Sequence, residues 1–192
     1  MSELIKFDTE EVVKNRNIIT QQTKIFDLVK EDDPILKEVL PEFDFANPPV
    51  DPQTFASSLV ETCKMHKGVG LSANQCGFKH RVFVMGANDD YVAFYNPKVT
   101  YETSDTVHMQ EGCLSFPFLG LYITRPETIE VAYQSYKGED KTMTLSGISA
   151  RVFLHELDHM NGIVYTERVK TLALHTGQKR RAKIMKKLFL IK

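Results

Sequence analysis

The chain has 192 residues, of which 42% are hydrophobic and 10% aromatic, and its formal net charge at pH 7 is −1. This composition is typical of one soluble globular domain, and the near-zero charge excludes a general attraction to DNA or to anionic lipid. No apolar run approaches the roughly 20 residues of a membrane-spanning helix, and the first residues lack the features of a signal or transit peptide. Three cysteines, an odd number, favour a reducing compartment. We therefore expect a cytoplasmic protein.

Residues 1–30 are polar and of mixed charge, and we interpret them as an extension with local structure at most. Asp51-Pro52 then predicts the start of a helix, because aspartate is favoured as the N-cap and proline at the first helical position. Apolar residues recur at helical spacing from here on, and this pattern places Cys63 in the core. We expect this helix to end at Gly68.

The stretch Gly68–Gln75 is interpreted as a loop. Its two glycines permit close approach of the backbone to another group. Gln75 offers a side-chain amide that can donate to a substrate oxygen. The spacing does not match a phosphate-binding loop.

From Arg81 to Leu145 the pattern changes to short runs rich in β-branched and aromatic residues. We predict strands at 81–85, 91–95, 121–124, 128–133 and 141–145, with turns at Arg125-Pro126 and Lys137-Gly138. A further short strand is predicted at 163–165. Glu111–Ser115, between the second and third of these strands, is interpreted as a loop.

The segment His155–His159 reads His-Glu-x-x-His and carries the clearest chemical signal. Positions i and i+4 of a helix share a face, so His155 and His159 can bind one metal ion together, with Glu156 beside a water on that ion. Asn161-Gly162 predicts the end of this helix. Two histidines can fall on a helix by chance, but a buried helix with so many polar groups is costly unless they are paired.

A catalytic metal site usually has three protein ligands and one open position. Two common peptidase patterns place the third ligand downstream, but Tyr165 stands where one needs histidine, and Glu167 follows His159 too closely for the other. The upstream candidate is Cys113. A small buried cysteine without a metal is the alternative interpretation.

Three stretches, Gly68–Gln75, Glu111–Ser115 and His155–His159, together resemble the motifs of the peptide deformylase family in their family order. The resemblance covers roughly residues 30–170. It implies an α+β fold in which antiparallel β-sheets pack around a central metal-binding helix, with an N-terminal helix and a C-terminal helix. We predict an N-terminal extension over 1–30, a deformylase-like catalytic domain over 31–170, and a basic C-terminal helix over 171–192 within the same single domain.

The resemblance further implies a hydrolase that removes the formyl group from the N-terminal formyl-methionine of nascent polypeptides and releases formate. It implies one metal ion per chain, Fe²⁺, for which Zn²⁺, Ni²⁺ or Co²⁺ can substitute. The implied ligands are Cys113, His155 and His159. Glu156 is implied as general base and then general acid, while the Gln75 amide and the Leu114 backbone N–H stabilise the negative oxygen of the reacting carbonyl.

An apolar slot for the methionine side chain is also implied, with Glu111 paired to Arg125 behind it. The implied substrate-binding residues are Val69, Gly70, Met109, Glu111, Ile148, Val152 and His155. Ordinary core packing is the alternative for the apolar members. Among the departures from the family pattern, Arg151 brings a charge to a position that is usually apolar, and Gly120 stands where some members have a basic residue.

The C-terminal segment is basic, and a helix is predicted there with apolar positions at Ile184, Met185, Leu188 and Leu190. The basic residues are Lys179, Arg180, Arg181, Lys183, Lys186 and Lys187. A solvated helix face and a contact with ribosomal RNA both stay open. The lack of aromatic residues among the charges favours the solvated face.

Three other functional classes stay open. A metal-dependent peptidase would share His155, Glu156 and His159 but would not need Cys113. A non-catalytic protein could bind peptide N-termini, although every candidate catalytic residue is present. A structural metal site would close all four positions, whereas the sequence offers three convincing ligands.

Overall fold

The computed structural model describes residues 13–14 and 23–190. Most of the predicted extension over residues 1–30, and residues 191–192, lie outside this description. Where the chain is described it forms strands β1 Val13–Lys14, β2 Gly70–Ser72, β3 Val82–Ala87, β4 Asp90–Glu102, β5 Thr106–Cys113, β6 Phe116–Pro126, β7 Thr128–Gln134 and β8 Asp140–Ser146. The α-helices are α1 Pro52–Met65, α2 Gly147–Met160 and α3 Thr171–Leu190, and 3₁₀ helices span Pro34–Lys37, Ala73–Cys76 and Tyr165–Arg168.

Two antiparallel sheets organise the molecule. The main sheet has the order β2-β3-β4-β7-β8, and β1 pairs with β4 outside this path. β5 and β6 form a separate hairpin. The predicted α+β class, with antiparallel sheets and helices, is confirmed.

The main sheet separates α1 from α2. Side chains of a strand alternate between faces, so Val82 and Val84 of β3 join the cluster around α1, while Phe83 and Met85 join the cluster around α2. The rings of Phe83 and Phe153, the latter on α2, lie 5.1 Å apart between centroids. The other side of α2 contacts the β5–β6 hairpin, so this helix lies between the two sheets.

The helix starts and stops are mostly where the sequence predicts them. The Asp51 side chain accepts from the Thr54 N–H at 2.8 Å and caps α1. α1 ends at Met65, before the predicted Gly68. α2 ends at Met160, with Asn161 as its C-cap as predicted.

The strand predictions were right for five strands and incomplete elsewhere. β1, β2 and β5 were not predicted, and Glu111–Cys113 is the end of a strand instead of a loop. The predicted turn at Arg125-Pro126 is wrong, because both residues belong to β6 and Glu127 alone separates β6 from β7. The predicted strand at 163–165 is also wrong. Tyr165 begins a 3₁₀ helix there, and its hydroxyl donates to the Leu119 carbonyl under the hairpin at 2.7 Å.

Both ends of the described chain are attached to the body. The Phe26 ring lies 4.7 Å from that of Phe78, so residues 23–30 are more ordered than an extension with local structure. Gly177 of α3 packs against Leu121 of β6. Two predicted packing positions of α3, Ile184 and Leu188, are exposed, and Leu190 lies where side chains are not described. Among the described residues no helix is long and apolar enough to cross a membrane.

Candidate active site

Cys113, His155 and His159 come together at the junction of the hairpin and α2. Cys113 is the last residue of β5, and the two histidines lie one turn apart on α2. One candidate ligand atom from each residue lies within 4.8 Å of the others, and the Cys113 Sγ lies 3.4 Å from the His159 Nε2. Metal–sulfur and metal–nitrogen bonds of about 2.0–2.3 Å place tetrahedral ligands at roughly this separation. The cluster therefore has the dimensions of a metal site.

Glu111 orients one of these histidines. The Nδ1 of His155 lies 3.0 Å from the Glu111 Oε2, which leaves the opposite ring nitrogen for the cluster. Arg125 donates to both Glu111 oxygens, from Nε at 2.7 Å and Nη2 at 2.9 Å, so the predicted Glu111–Arg125 pair is present. Burial works to raise the pKa of Glu111, but hydrogen bonds from Arg125 and His155 outweigh it and lower the pKa to about 2. A charged carboxylate behind a ligand histidine raises its basicity.

The two histidines differ in protonation. Burial disfavours the charged form of His155, but hydrogen bonds to Cys113 and Glu111 outweigh it and raise its pKa to about 10. Burial, helped by the charges of His155 and Arg125, lowers the pKa of His159 well below its usual value. His159 is therefore neutral, the form that binds metals. The Asn74 amide donates to the His159 carbonyl at 3.0 Å and holds this turn of α2.

Glu156 is buried beside the cluster with its carboxylate only partly satisfied. Its Oε2 atom has no hydrogen-bond partner among the described residues. Burial raises the pKa of Glu156 to about 7. A Cβ atom on Gly70 would overlap the Glu156 Oε1, so only glycine allows β2 to pass this close.

Gln75 points its amide nitrogen at the Cys113 turn. Its Oε1 accepts from the Ser72 backbone N–H at 3.0 Å and from the Ser72 hydroxyl at 3.1 Å. Its Nε2 donates to the Ser115 hydroxyl at 3.0 Å and to the Cys113 Sγ at 3.3 Å. Because the oxygen is fixed by Ser72, the donating side of the amide faces the cluster.

A cavity of about 690 Å³ opens over these groups. It is lined by the predicted residues Val69, Gly70, Gln75, Met109, Glu111, Cys113, Leu114, Ile148, Val152, His155 and Glu156. His159 does not line it and lies deeper, 1% exposed. The structure thus gathers every predicted site residue at one place.

The structure shows what two residues that depart from the family pattern contact. Arg151 lines the cavity, but its charge is paired: Nη1 donates to the Glu111 Oε1 at 2.6 Å, and the guanidinium also donates to the carbonyls of Val107 and Ile123. Gly120 packs so closely on Gln110 that a Cβ there would overlap this side chain.

The cavity lining also contains residues that sequence reasoning missed. Phe116, Pro117, Phe118 and Leu119, all from β6, line it. No motif signals them, because their position depends on how β6 pairs with β5. Asp158 was likewise missed as a link from α2 to Arg125 and Arg168.

Comparison with known proteins gives one consistent family. The model of the family described as polypeptide deformylase matches residues 25–174. The peptide deformylase of Thermotoga neapolitana is 41% identical over 112 residues, which are 58% of this chain and 68% of that relative. A crystal structure of a Synechococcus elongatus peptide deformylase in complex with actinonin superposes with a TM-score of 0.76 at 26% identity, covering 84% of this chain and 92% of that one. An Acinetobacter baumannii deformylase structure with bound Met-Ala-Ser has a TM-score of 0.72 at 26% identity, covering 77% and 99%.

Proposed function

This chain belongs to the polypeptide deformylase family, and from that premise we propose that Cys113, His155 and His159 hold its metal ion while Glu156 acts as general base. The family is metal-dependent, and the chain is a hydrolase that removes the N-formyl group from nascent polypeptides. The observation that carries the assignment of roles is the clustering of one thiol, two imidazoles and one carboxyl group of raised pKa, with all but His159 lining a single cavity.

The residues at the cluster fit a divalent transition metal. Once His155 releases its proton on metal binding, one thiolate and two neutral imidazoles would suit Fe²⁺, Zn²⁺, Ni²⁺ and Co²⁺ and leave a coordination position open. We propose Fe²⁺ as the ion, one per chain, with the other three able to substitute. When bound, the ion supplies a Lewis acid and lowers the pKa of water to near neutrality.

Glu156 acts as general base and then as general acid in this proposal. With a pKa near 7, its carboxyl group exchanges protons readily at neutral pH. It accepts a proton from the water that attacks the formyl carbon, and it donates that proton to the amine nitrogen as the carbon–nitrogen bond breaks. The products are formate and a peptide with a free N-terminus.

Gln75 and Leu114 are the proposed donors to the carbonyl oxygen as it gains charge. The Gln75 Nε2 faces Cys113 and Ser115 and can turn to a substrate oxygen while Ser72 holds its Oε1. Leu114 follows Cys113 in the turn between β5 and β6. Loss of one such donor costs about 10²–10³ in kcat.

The methionine side chain is proposed to enter the cavity beside His155. Met109, Ile148 and Val152 line the cavity together with His155, so an apolar side chain there would lie next to the reacting bond. Val69, Gly70 and Glu111 complete the proposed binding residues. The Met-Ala-Ser bound to the Acinetobacter relative supports entry of a methionine-first peptide.

Formate release from formyl-Met-Ala-Ser tests these roles. Anaerobically prepared Fe²⁺ protein is compared with Glu156→Ala and with Glu130→Ala, a matched change of an exposed glutamate on β7. We expect Glu156→Ala to lower kcat by about 10²–10⁴ and Glu130→Ala to leave it unchanged. Equal release by the parent and Glu156→Ala would reject the role of Glu156.

We also propose that α3 belongs to the same domain and contacts the ribosome. Gly177 packs on β6, and Arg181 is paired with Glu31, so Arg181 is engaged within the chain. The exposed basic residues are Lys179, Arg180, Lys183, Lys186 and Lys187. Deletion of residues 179–192 should weaken salt-sensitive co-sedimentation with ribosomes, and unchanged co-sedimentation would remove the contact. Nascent chains as substrates support our expectation of a cytoplasmic enzyme.

A further inference from the structure

Phe118 has a backbone conformation that is unfavourable for an aromatic residue and unusual inside a β-strand. Its φ is +65°, in the left-handed region. The other described residues with positive φ, apart from glycines, are Lys67, Asn88 and Asn96. Asparagine tolerates this region, and Lys67 terminates α1 through a pair of hydrogen bonds typical of helix ends. Neither explanation applies to an aromatic residue inside a strand.

Phe118 lies in a β-bulge that is larger than the common two-residue types. Glu111 pairs with Leu121, and Cys113 pairs with Phe116. Between these pairs β5 contributes only Gly112, whereas β6 contributes the four residues 117–120. Bulges of this kind redirect a side chain and are common beside active sites.

Neighbours on both sides hold the bulge in place. Leu119 is buried, and its carbonyl accepts from the Tyr165 hydroxyl at 2.7 Å. The Phe116 ring lies 5.7 Å from the Tyr165 ring. Gly177 of α3 packs directly against Leu119. Strained residues persist where the surrounding structure fixes them, and they concentrate at ligand-binding places.

The bulge leaves the phenyl ring of Phe118 partly exposed to solvent where it lines the cavity. Phe118 lines the cavity but is 53% exposed, and Val69, which also lines it, is 36% exposed. Phe118 lies two residues beyond Phe116, the partner of Cys113. Two residues of chain span at most about 7 Å in any backbone conformation, which an extended peptide covers in two residues. A peptide whose formyl group lies at Cys113 therefore has its second or third residue near Phe118.

We propose that Phe118 is a specificity-determining residue whose ring forms a platform for an apolar side chain at the second or third position of the formyl-methionyl peptide. This inference rests on the proposed function. An aliphatic or aromatic side chain would cover the exposed ring and remove apolar surface from water, whereas serine would not.

Three formylated tripeptides test the platform: formyl-Met-Leu-Ser, formyl-Met-Ser-Leu and formyl-Met-Ser-Ser. Neutral peptides are used because Lys67 also lines the cavity. The variants are Phe118→Gly, which removes the ring and suits the left-handed backbone, Phe118→Asn, which keeps that backbone preference with a polar side chain, and Phe118→Leu. The matched control is Tyr122→Ala, a 54% exposed aromatic residue of the same strand that does not line the cavity.

We expect the parent to favour at least one leucine peptide over formyl-Met-Ser-Ser by about fivefold or more in kcat/KM, mainly through KM. Phe118→Gly and Phe118→Asn should reduce this preference below about twofold while leaving kcat/KM for formyl-Met-Ser-Ser within about twofold of the parent. Phe118→Leu should keep most of the preference, and Tyr122→Ala all of it. Calorimetric titration with Met-Leu-Ser, Met-Ser-Leu and Met-Ser-Ser should show the same ranking in affinity.

A preference that survives in both Phe118→Gly and Phe118→Asn would overturn the platform, as would a parent with no preference. A uniform loss on all three peptides would show that Phe118 supports the site without selecting substrates, and this too would overturn the proposal. If the metal-loaded parent releases formate from none of the peptides, the proposed function fails first and the inference falls with it.

Discussion

Burial of Glu156 favours its proposed role in proton transfer but lowers the stability of the folded protein. A carboxyl group that must exchange protons near neutrality benefits from burial, because burial raises its pKa. The same burial leaves the Glu156 Oε2 without a partner among the described residues, and an unpartnered buried carboxylate destabilises the folded state. Replacement of Glu156 should therefore reveal a gain in stability together with the loss of activity.

In the metal-free protein, Glu156→Gln should be more stable than the parent at pH 8. The pKa of Glu156 rises from 4.5 to about 7 on folding, so between these pH values the folded state keeps a proton that the unfolded state releases. The parent therefore loses stability as pH rises from 4.5 to 7, by about 3 kcal/mol in total. Glutamine has no such dependence, so the two proteins should be close near pH 4.5 and differ most above pH 7.

Urea unfolding in the presence of a chelator at pH 5, 6.5 and 8 measures this difference. Glu130→Gln, on the exposed face of β7, serves as the control and should show no pH-dependent difference from the parent. A constant difference between Glu156→Gln and the parent across the three pH values would contradict the raised pKa.

Gly70 should tolerate no side chain while Glu156 is present. A Cβ at this position would meet the Glu156 carboxylate and the Val152 Cγ1, and such overpacking costs about 1–3 kcal/mol. Gly70→Ala should also lower formate release more than tenfold, because it displaces Glu156. In a Glu156→Ala background the stability cost should shrink, because one of the two obstacles is gone.

A double-mutant cycle of Gly70→Ala and Glu156→Ala, followed by urea unfolding, measures the coupling. Strict additivity would mean that the chain accommodates the new Cβ by another movement. The contact between Gly70 and Glu156 would then not explain the stability cost of Gly70→Ala.

At the scale of elements, two buried arginines attach the β5–β6 hairpin to α2. Arg125 of β6 donates to Glu111 of β5 and to Asp158 of α2. Arg151 of α2 donates to Glu111 as well. Because Glu111 also holds His155, the attachment of the hairpin and the orientation of a proposed metal ligand depend on the same carboxylate.

Arg125→Met should destabilise the protein more than Arg151→Met. The first change breaks ion pairs with two buried carboxylates, Glu111 and Asp158, and breaking a buried pair costs about 3–5 kcal/mol. The second leaves Glu111 bidentately bound by Arg125, and the main loss is the hydrogen bonds to two backbone carbonyls, about 1–3 kcal/mol. Urea unfolding gives the order, and hydrogen exchange should show β5 and β6 opening first in Arg125→Met. The reverse order would mean that Arg151 is the main attachment.

The elements also show which features of this fold the sequence could predict. α2 was predictable because its metal motif, apolar stretch and terminal Asn161-Gly162 are all local signals. β5 was missed because only Thr106 and Val107 of its eight residues are β-branched and none is Phe, Tyr or Trp, and because its pairing with β6 depends on tertiary structure. The candidate site followed from three motifs, whereas Phe118 depends on a bulge fixed by Tyr165 and α3, which no local pattern encodes.

At the scale of the whole molecule, the proposed ligands join two layers. Cys113 belongs to the hairpin, whereas His155 and His159 belong to the helix that packs on the main sheet. The hydrophobic clusters around α1 and α2 contain none of these three residues. The core therefore has its own source of stability, and an ion at the cluster would add a link between layers.

Removal of the metal should lower the melting temperature without unfolding the protein. A metal ion that binds the folded state alone adds about 2.7 kcal/mol to the free energy of unfolding at a free concentration one hundred times Kd. The melting temperature of a chain of this size shifts by about 2–4 °C per kcal/mol. We therefore expect the melting temperature to fall by about 5–10 °C, with far-UV circular dichroism unchanged at 25 °C. Cys113→Ser should lose this response to chelation, and Cys76→Ser, which alters a cysteine outside the cluster, should keep it. Loss of the far-UV signal on chelation at 25 °C would instead identify an ion that the fold requires, because small structural metal sites couple binding directly to folding.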